Sequence, residues 1–170
     1  MRRLVSVLAA VGLLLALSSL PVAAQTTITF RSIVHETFER RASAEQCVID
    51  EVAGTATCPG TGVVQGFGQV TSSIVFSFSP TVPPVRTLTF ADGSTLLLAE
   101  DMFISFRTPG SSADAPGAQV SFGNPFFFEI SWVVVGGTGT FEGASGSGTQ
   151  IVQGAGDNTN IKMIGTLTFG

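Results

Sequence analysis

The sequence predicts an all-β domain, an antiparallel closed barrel of about eight strands, and three observations predict it. Apolar and polar residues alternate with period two over most of the chain after Ala24, and no window holds helical spacing for three turns. Gly, Pro and Asp-Gly punctuate the alternating runs at short intervals, as hairpin turns do. Gly66 and Gly68 fall inside an otherwise strand-like run, where glycine marks a bulge or the tight curvature that a barrel corner needs. Strand counting does not decide closure, so a two-sheet β-sandwich is the alternative.

The first 24 residues stand apart from this pattern. Arg2 and Arg3 form a positive n-region, Leu4 to Leu20 an apolar stretch, and Pro21-Val22-Ala23-Ala24 a small-residue cleavage site. The expectation is a signal peptide over residues 1–24, a single β-barrel domain over 25–170, and a secreted or periplasmic protein with no membrane attachment after cleavage. Of the 170 residues, 44% are apolar and 12% charged, which excludes a disordered chain. Beyond Ala24 six basic residues (Arg31, Arg40, Arg41, Arg86, Arg107 and Lys162) face twelve acidic ones. A surface this acidic cannot neutralise phosphates, so no nucleic-acid partner is expected.

Thr26 to Phe38 reads as the first strand, with Ile28, Phe30, Val34 and Phe38 on the inner face. Cys47 and Cys58 are the only cysteines, an even count that reads as a disulfide in an exported chain. Their midpoint suits a hairpin turning over Glu51-Val52-Ala53-Gly54, with Gly54 in the left-handed conformation. With one His far away and no second Cys pair, a redox or metal role is disfavoured and no metal or cofactor is expected.

Val63 to Val70 and Ile74 to Phe78 read as two strands with a break near Thr71-Ser72-Ser73, ended by Pro80, Pro83 and Pro84. Val85 to Phe90 and Thr95 to Arg107 flank Asp92-Gly93, a strong hairpin signal. Thr108 to Ala118 is a loop. Phe126 to Val135 is a nearly continuous apolar strand, and Gly146 to Gln153 and Thr159 to Phe169 close the chain.

The segment Val135 to Gly146 matches neither a dinucleotide loop nor a phosphate-binding loop, because Glu142 occupies the third glycine position and no Gly-Lys-Ser/Thr follows. Its glycines let the backbone turn sharply while Phe141 tucks back as a plug. Gly136, Gly137, Gly139, Phe141, Gly143, Ala144 and Gly146 together resemble the Gly-Gly-x-Gly-x-Phe-x-Gly-Ala-x-Gly segment of the allene oxide cyclase and dirigent barrels. Phe90-Ala91-Asp92-Gly93-Ser94 likewise resembles a hairpin frequent in small bacterial relatives of these barrels. The resemblance implies an eight-stranded antiparallel barrel whose mouth holds a hydrophobic small molecule, and a homo-oligomer, commonly a trimer. It also implies a functional Glu on an early strand, a setting comparable to that of Glu36.

Function does not travel with a fold, so the candidate residues are weighed singly. Parity puts Glu36 on the face of Phe30 and Val34, where burial would raise its pKa and make it a general acid or steering group. The competing position is the barrel rim, in solvated pairs with Glu39, Arg40 and Arg41, and the frequency of charge at strand ends favours the rim. Glu129 is the second catalytic candidate. The wholly apolar even face of its strand (Phe126, Phe128, Ile130, Trp132, Val134) favours an outward Glu129. His35 falls on the outer face, and Arg107 either pairs a carboxylate or faces water.

Fourteen Phe, no Tyr and one His leave few groups for acid–base chemistry, which favours a non-catalytic protein. The leading expectation is therefore an exported barrel that binds an apolar small molecule. An isomerase or cyclase steering a lipophilic substrate is the second, since steering needs few ionisable groups. The third is an oligomeric surface or interaction protein, suggested by the apolar residues on both faces of Phe126 to Val135.

Overall fold

The structure is a computed structural model that describes residues 25–37, 47–101, 105–106, 126–155 and 158–170. The expected signal peptide over 1–24, Phe38, the group Glu39, Arg40 and Arg41, Arg107 and the 108–118 loop lie outside the described residues.

Among the described residues ten strands follow one another: β1 (Thr26–Thr37), β2 (Val48–Asp50), β3 (Thr55–Val64), β4 (Gly68–Ser77), β5 (Val85–Phe90), β6 (Thr95–Glu100), β7 (Ser105–Phe106), β8 (Phe126–Thr138), β9 (Ser145–Ala155) and β10 (Asn158–Phe169). Eight of them close an antiparallel barrel in the order β1-β10-β9-β8-β6-β5-β4-β3. The closing joint is β1, which pairs β10 along its whole length and β3 from Ser32 to Glu36. A strand hydrogen-bonded on both sides in this ring leaves no place for two separate sheets, so the barrel stands and the sandwich does not. β2 extends β3 as a short hairpin, and β7 pairs β8.

Three strand boundaries differ from the sequence reading. The turn expected near Thr71–Ser73 lies instead at Gln65-Gly66-Phe67, where Gly66 and Gly68 take φ of 84° and 89° and Phe67 N donates to Val64 O at 3.0 Å. Ser and Thr break an apolar pattern without breaking a ladder, whereas two left-handed glycines do turn the chain. Residues Thr55–Val64 form a full strand despite Pro59 and two glycines. The run from Thr95 onward is two pieces, β6 and β7.

The Asp92-Gly93 hairpin forms as read: Gly93 has φ 83°, and Asp92 Oδ1 accepts from the Ser94 amide at 2.9 Å and from the Ser94 hydroxyl. Asp92 Oδ2 also accepts from Thr140 Oγ1 at 3.3 Å, which ties this hairpin to the glycine segment. Those hydrogen bonds from Ser94 and Thr140 hold the Asp92 carboxyl below the usual carboxylate range. In the glycine segment a single 3-10 turn, Gly139–Phe141, separates β8 from β9, with Gly139 and Gly143 at φ 59° and 69°.

The interior is layered along the barrel axis. At one end Phe141, 1% exposed, stacks on Phe90 at 4.4 Å between ring centroids and meets Phe67 at 5.1 Å, so it is the plug its sequence suggested. Burying an aromatic side chain so fully contributes about 3–5 kcal/mol against alanine. In the middle Trp132 meets Phe30 edge-on at 5.3 Å and donates its indole N–H to Thr149 O at 3.1 Å. Gly148 and Gly165 face each other in the β9–β10 ladder beneath this ring, and a Cβ on either would stand 2.5 Å from the indole Cζ2. The short turns after β3, β5 and β8 all lie at the plugged end. The 78–84 turn joins strand ends at the other.

Candidate functional site

The unplugged end carries the charges. β1 delivers Glu36 near its C-terminal end, β5 delivers Arg86 as its second residue, and β6 delivers Glu100 as its last. All three point inward because period two carries the parity of Phe30, Leu88 and Leu98 onto them. They are 2%, 1% and 3% exposed, buried as deeply as the aliphatic core.

Arg86 is the hub. Its Nε donates to Glu100 Oε1 at 2.6 Å, and its Nη1 donates to Ser72 Oγ at 2.9 Å and makes a salt bridge with Glu36 Oε1. The Ser72 hydroxyl in turn donates to Glu36 Oε1 at 3.4 Å. Burial pulls the Arg86 pKa down, but Glu100 and Glu36 more than offset it, so the guanidinium stays charged. Burial dominates at Glu36, pushing its carboxyl above the ordinary value against the charge and hydrogen bond of Arg86, with Glu100 adding repulsion. The arrangement can thus hold a cation firmly between two buried carboxyl groups, one of which, Glu36, binds its proton more tightly than usual.

Glu36 is inside the barrel and not at the rim. The rim reading rested on solvation at strand ends, and it fails because Glu36 is 2% exposed and forms its salt bridge with Arg86 on β5, far away in sequence. Glu129 is exposed on the outer wall, paired in register with Ser105, and is not brought near Glu36; Ile130 and Trp132 take the interior. His35 is exposed as well, on a groove of about 580 Å³ outside the barrel that Thr61, Gln69, Thr71 and Thr89 also line. Val133 and Val135 are 49% and 54% exposed, so the outer face of β8 carries apolar residues beside the exposed Glu129 and Ser131, as read from the sequence.

Sequence reading missed Arg86, Glu100, Ser72 and Gln150 as interior groups. The signal was present: Arg86 has the parity of Leu88 and Phe90, and Glu100 that of Leu96 and Leu98, across a hairpin whose turn was recognised. Gln150 is 1% exposed and neither polar atom of its amide has a hydrogen-bond partner among the described residues, and the same holds for the hydroxyl of Ser32, at 4%.

Cys47 and Cys58 form the expected disulfide across the β2–β3 hairpin, with Gly54 at φ 64° in the turn. Cys58 sits on the inner face in one register row with Ile74 and Arg86, so the bridge caps the charged end. A disulfide fits a non-reducing compartment. Among the described residues no cluster of His, Cys, Asp and Glu could hold a metal ion, and no helix is long and apolar enough to cross a membrane.

No family model matches this chain, and no curated protein does. Among solved structures, that of the pterocarpan synthase dirigent protein is similar, with a TM-score of 0.50 at 14% identity, covering 89% of this chain and 95% of that one. The likeness defines the class of fold: a closed eight-stranded barrel of dirigent type.

Proposed function

We propose that this is an exported barrel that holds a small, largely apolar molecule in its interior, with a polar group of that molecule held at the Arg86 cluster. The observation that carries the reading is the set of three buried ionisable side chains, Glu36, Arg86 and Glu100, in an interior whose other described side chains are uncharged and mostly aliphatic or aromatic. Buried ion pairs rarely add stability over apolar residues of similar volume, so a fold has no need of this one for its own sake. The apolar walls supply affinity and the cluster supplies orientation, the division of labour usual in small-molecule sites. The disulfide and the apolar N-terminal segment support export.

A steering isomerase is the second reading, favoured by the tightly held proton of Glu36. A neutral carboxyl donates a hydrogen bond to an oxygen of the bound molecule while the walls fix its conformation, and orientation alone then speeds an intramolecular rearrangement.

Trp132 is the only tryptophan and lies in the interior, so it reports on occupancy. Titration with N-phenyl-naphthylamine, a neutral apolar fluorophore, is expected to quench Trp132 saturably by energy transfer in the native protein. Absence of saturable quenching in the native protein overturns the reading.

A further inference from the structure

We propose that Ser32 and Gln150 form a second, uncharged polar subsite inside the barrel that receives a carbonyl or hydroxyl oxygen, so that the molecule held is a neutral oxygenated lipophile. The inference rests on the interior-binding reading and narrows its ligand to a ketone or alcohol, as against a hydrocarbon or a carboxylate.

One register row crosses the barrel wall from Ser32 on β1 through Met163 on β10 and Gln150 on β9 to Ile130 on β8. All four side chains are buried on the inner face. Ser32 and Gln150 are two strand spacings apart, roughly 10 Å, with Met163 between them. This row lies between the Phe30 and Trp132 layer and the Glu36 layer, the latter four residues farther along β1, about 13 Å of extended chain. On the β8 side Ile130 is two residues from Trp132, the register partner of Glu100, yet neither Ser32 nor Gln150 is hydrogen-bonded to the Arg86 cluster, and Met163 and Ile130 offer them no hydrogen-bonding group.

The amide of Gln150 and the hydroxyl of Ser32 have no hydrogen-bond partner among the described residues. Buried polar groups are nearly always satisfied, and each exception calls for an occupant or a role. An amide presents two N–H donors and a carbonyl acceptor, and a hydroxyl presents one donor and two acceptor positions. Together they match an oxygen that accepts, as in a ketone, or one that both accepts and donates, as in an alcohol.

They do not match a carboxylate, because no cation lies in their row and burying an unpaired anion is costly. The Arg86 guanidinium already serves two carboxyl groups, so the cluster has no spare positive charge to receive a third. A pure hydrocarbon would leave the Gln150 amide desolvated with nothing in exchange.

The test compares three probes of equal chain length, methyl hexyl ketone, octanol and octanoate, by Trp132 emission in wild type, Gln150→Met and Ser32→Ala. N-phenyl-naphthylamine, which carries no oxygen, serves as the control for interior binding. Wild type is expected to bind ketone and alcohol about tenfold more tightly than octanoate, and Gln150→Met to lose about tenfold for both while keeping the fluorophore, the loss of one good buried hydrogen bond. Ser32→Ala should lose less. Equal ketone and alcohol binding in wild type and both variants overturns the subsite, and identifies the occupant of these groups as water only, while fluorophore binding keeps the interior reading intact. Octanoate binding as tightly as the ketone overturns the neutral-ligand assignment. Binding of neither ketone nor fluorophore overturns the interior reading and this inference with it. Should Gln150→Met fail to fold, the side-chain amide resonances of Gln150 in wild type decide: they shift on ketone addition if the subsite exists, and unchanged resonances overturn it.

Discussion

Gly60 stands directly across from Glu36 in the β1–β3 ladder, and a Cβ at Gly60 would lie 2.7 Å from the Glu36 Cγ and 2.7 Å from the His35 carbonyl oxygen. The glycine is there for its missing side chain and not for a special backbone conformation. It opens the wall of β3 so that a glutamate from the next strand can lean toward Ser72 and Arg86.

Gly60→Ala is therefore expected to push Glu36 out of its contacts and to destabilise the barrel by about 1–3 kcal/mol, the usual cost of overpacking. Urea unfolding followed by Trp132 emission measures it. A midpoint equal to wild type contradicts the role given to this glycine.

Glu36 sets a pH dependence of unusual sign for a carboxylate. Because its pKa is raised in the folded state, the native protein holds a proton that the unfolded chain has released, over the window from the ordinary carboxylate value of 4.5 up to the folded pKa. The stability contributed by this group is complete below that window and is lost as pH rises through the folded pKa. Chemical denaturation across the window should show this decline in wild type and a flatter profile in Glu36→Gln. An NMR titration of the Glu36 carboxyl carbon with a midpoint below 4.5 would contradict the burial argument.

Removing the hub and removing the whole cluster should have opposite consequences. Arg86→Met leaves two buried carboxyl groups without their cation and is expected to cost about 3–5 kcal/mol near neutral pH, with the deficit shrinking as acid protonates them. The triple replacement Glu36→Leu, Arg86→Met and Glu100→Leu leaves no charge inside and should be as stable as wild type or more so. Thermal unfolding of both variants reads the contrast. A triple variant no better than Arg86→Met means that the cluster holds the barrel together and has no call on a ligand.

Gly139→Val and Gly143→Val should damage folding while leaving the interior chemistry alone. Both glycines have positive φ, and at Gly139 a Cβ would also lie 3.0 Å from the Ser94 Cβ. Each is expected to cost more than about 1 kcal/mol, with Gly139 the more sensitive because it adds a clash to the strain. Denaturant midpoints unchanged from wild type would contradict the structural role of the segment.

Parity made the inward face of β1 legible, and with it the chance that Glu36 was interior. What the sequence did not display was the partner, because Arg86 lies 50 residues away and only barrel closure brings β5 across from β1. The same gap explains the misplaced turn near Ser72: in isolation Thr-Ser-Ser looks like a loop, and only a neighbouring guanidinium gives a buried serine its reason. Local signals fared better. The Cys47–Cys58 pair and the Asp92-Gly93 turn depend on a short hairpin and the conformational freedom of one glycine, the inward tuck of Phe141 was signalled by the glycines that flank it though its partners Phe90 and Phe67 lie far away in sequence, and all three took the form expected.

The joint at β1 also dictates an order of assembly. Its two neighbours are β3, made soon after it, and β10, which follows every other described strand. During synthesis β1 therefore waits with one edge unsatisfied until the other seven barrel strands have been made, and the ring cannot close by stages from β1 onward. Contacts of such long sequence separation fold slowly. Loss of β10 alone would leave β1 and β9 each with an open edge, a template for pairing with other chains, so a chain that lacks β10 is on a route to aggregation more than to a shortened functional barrel.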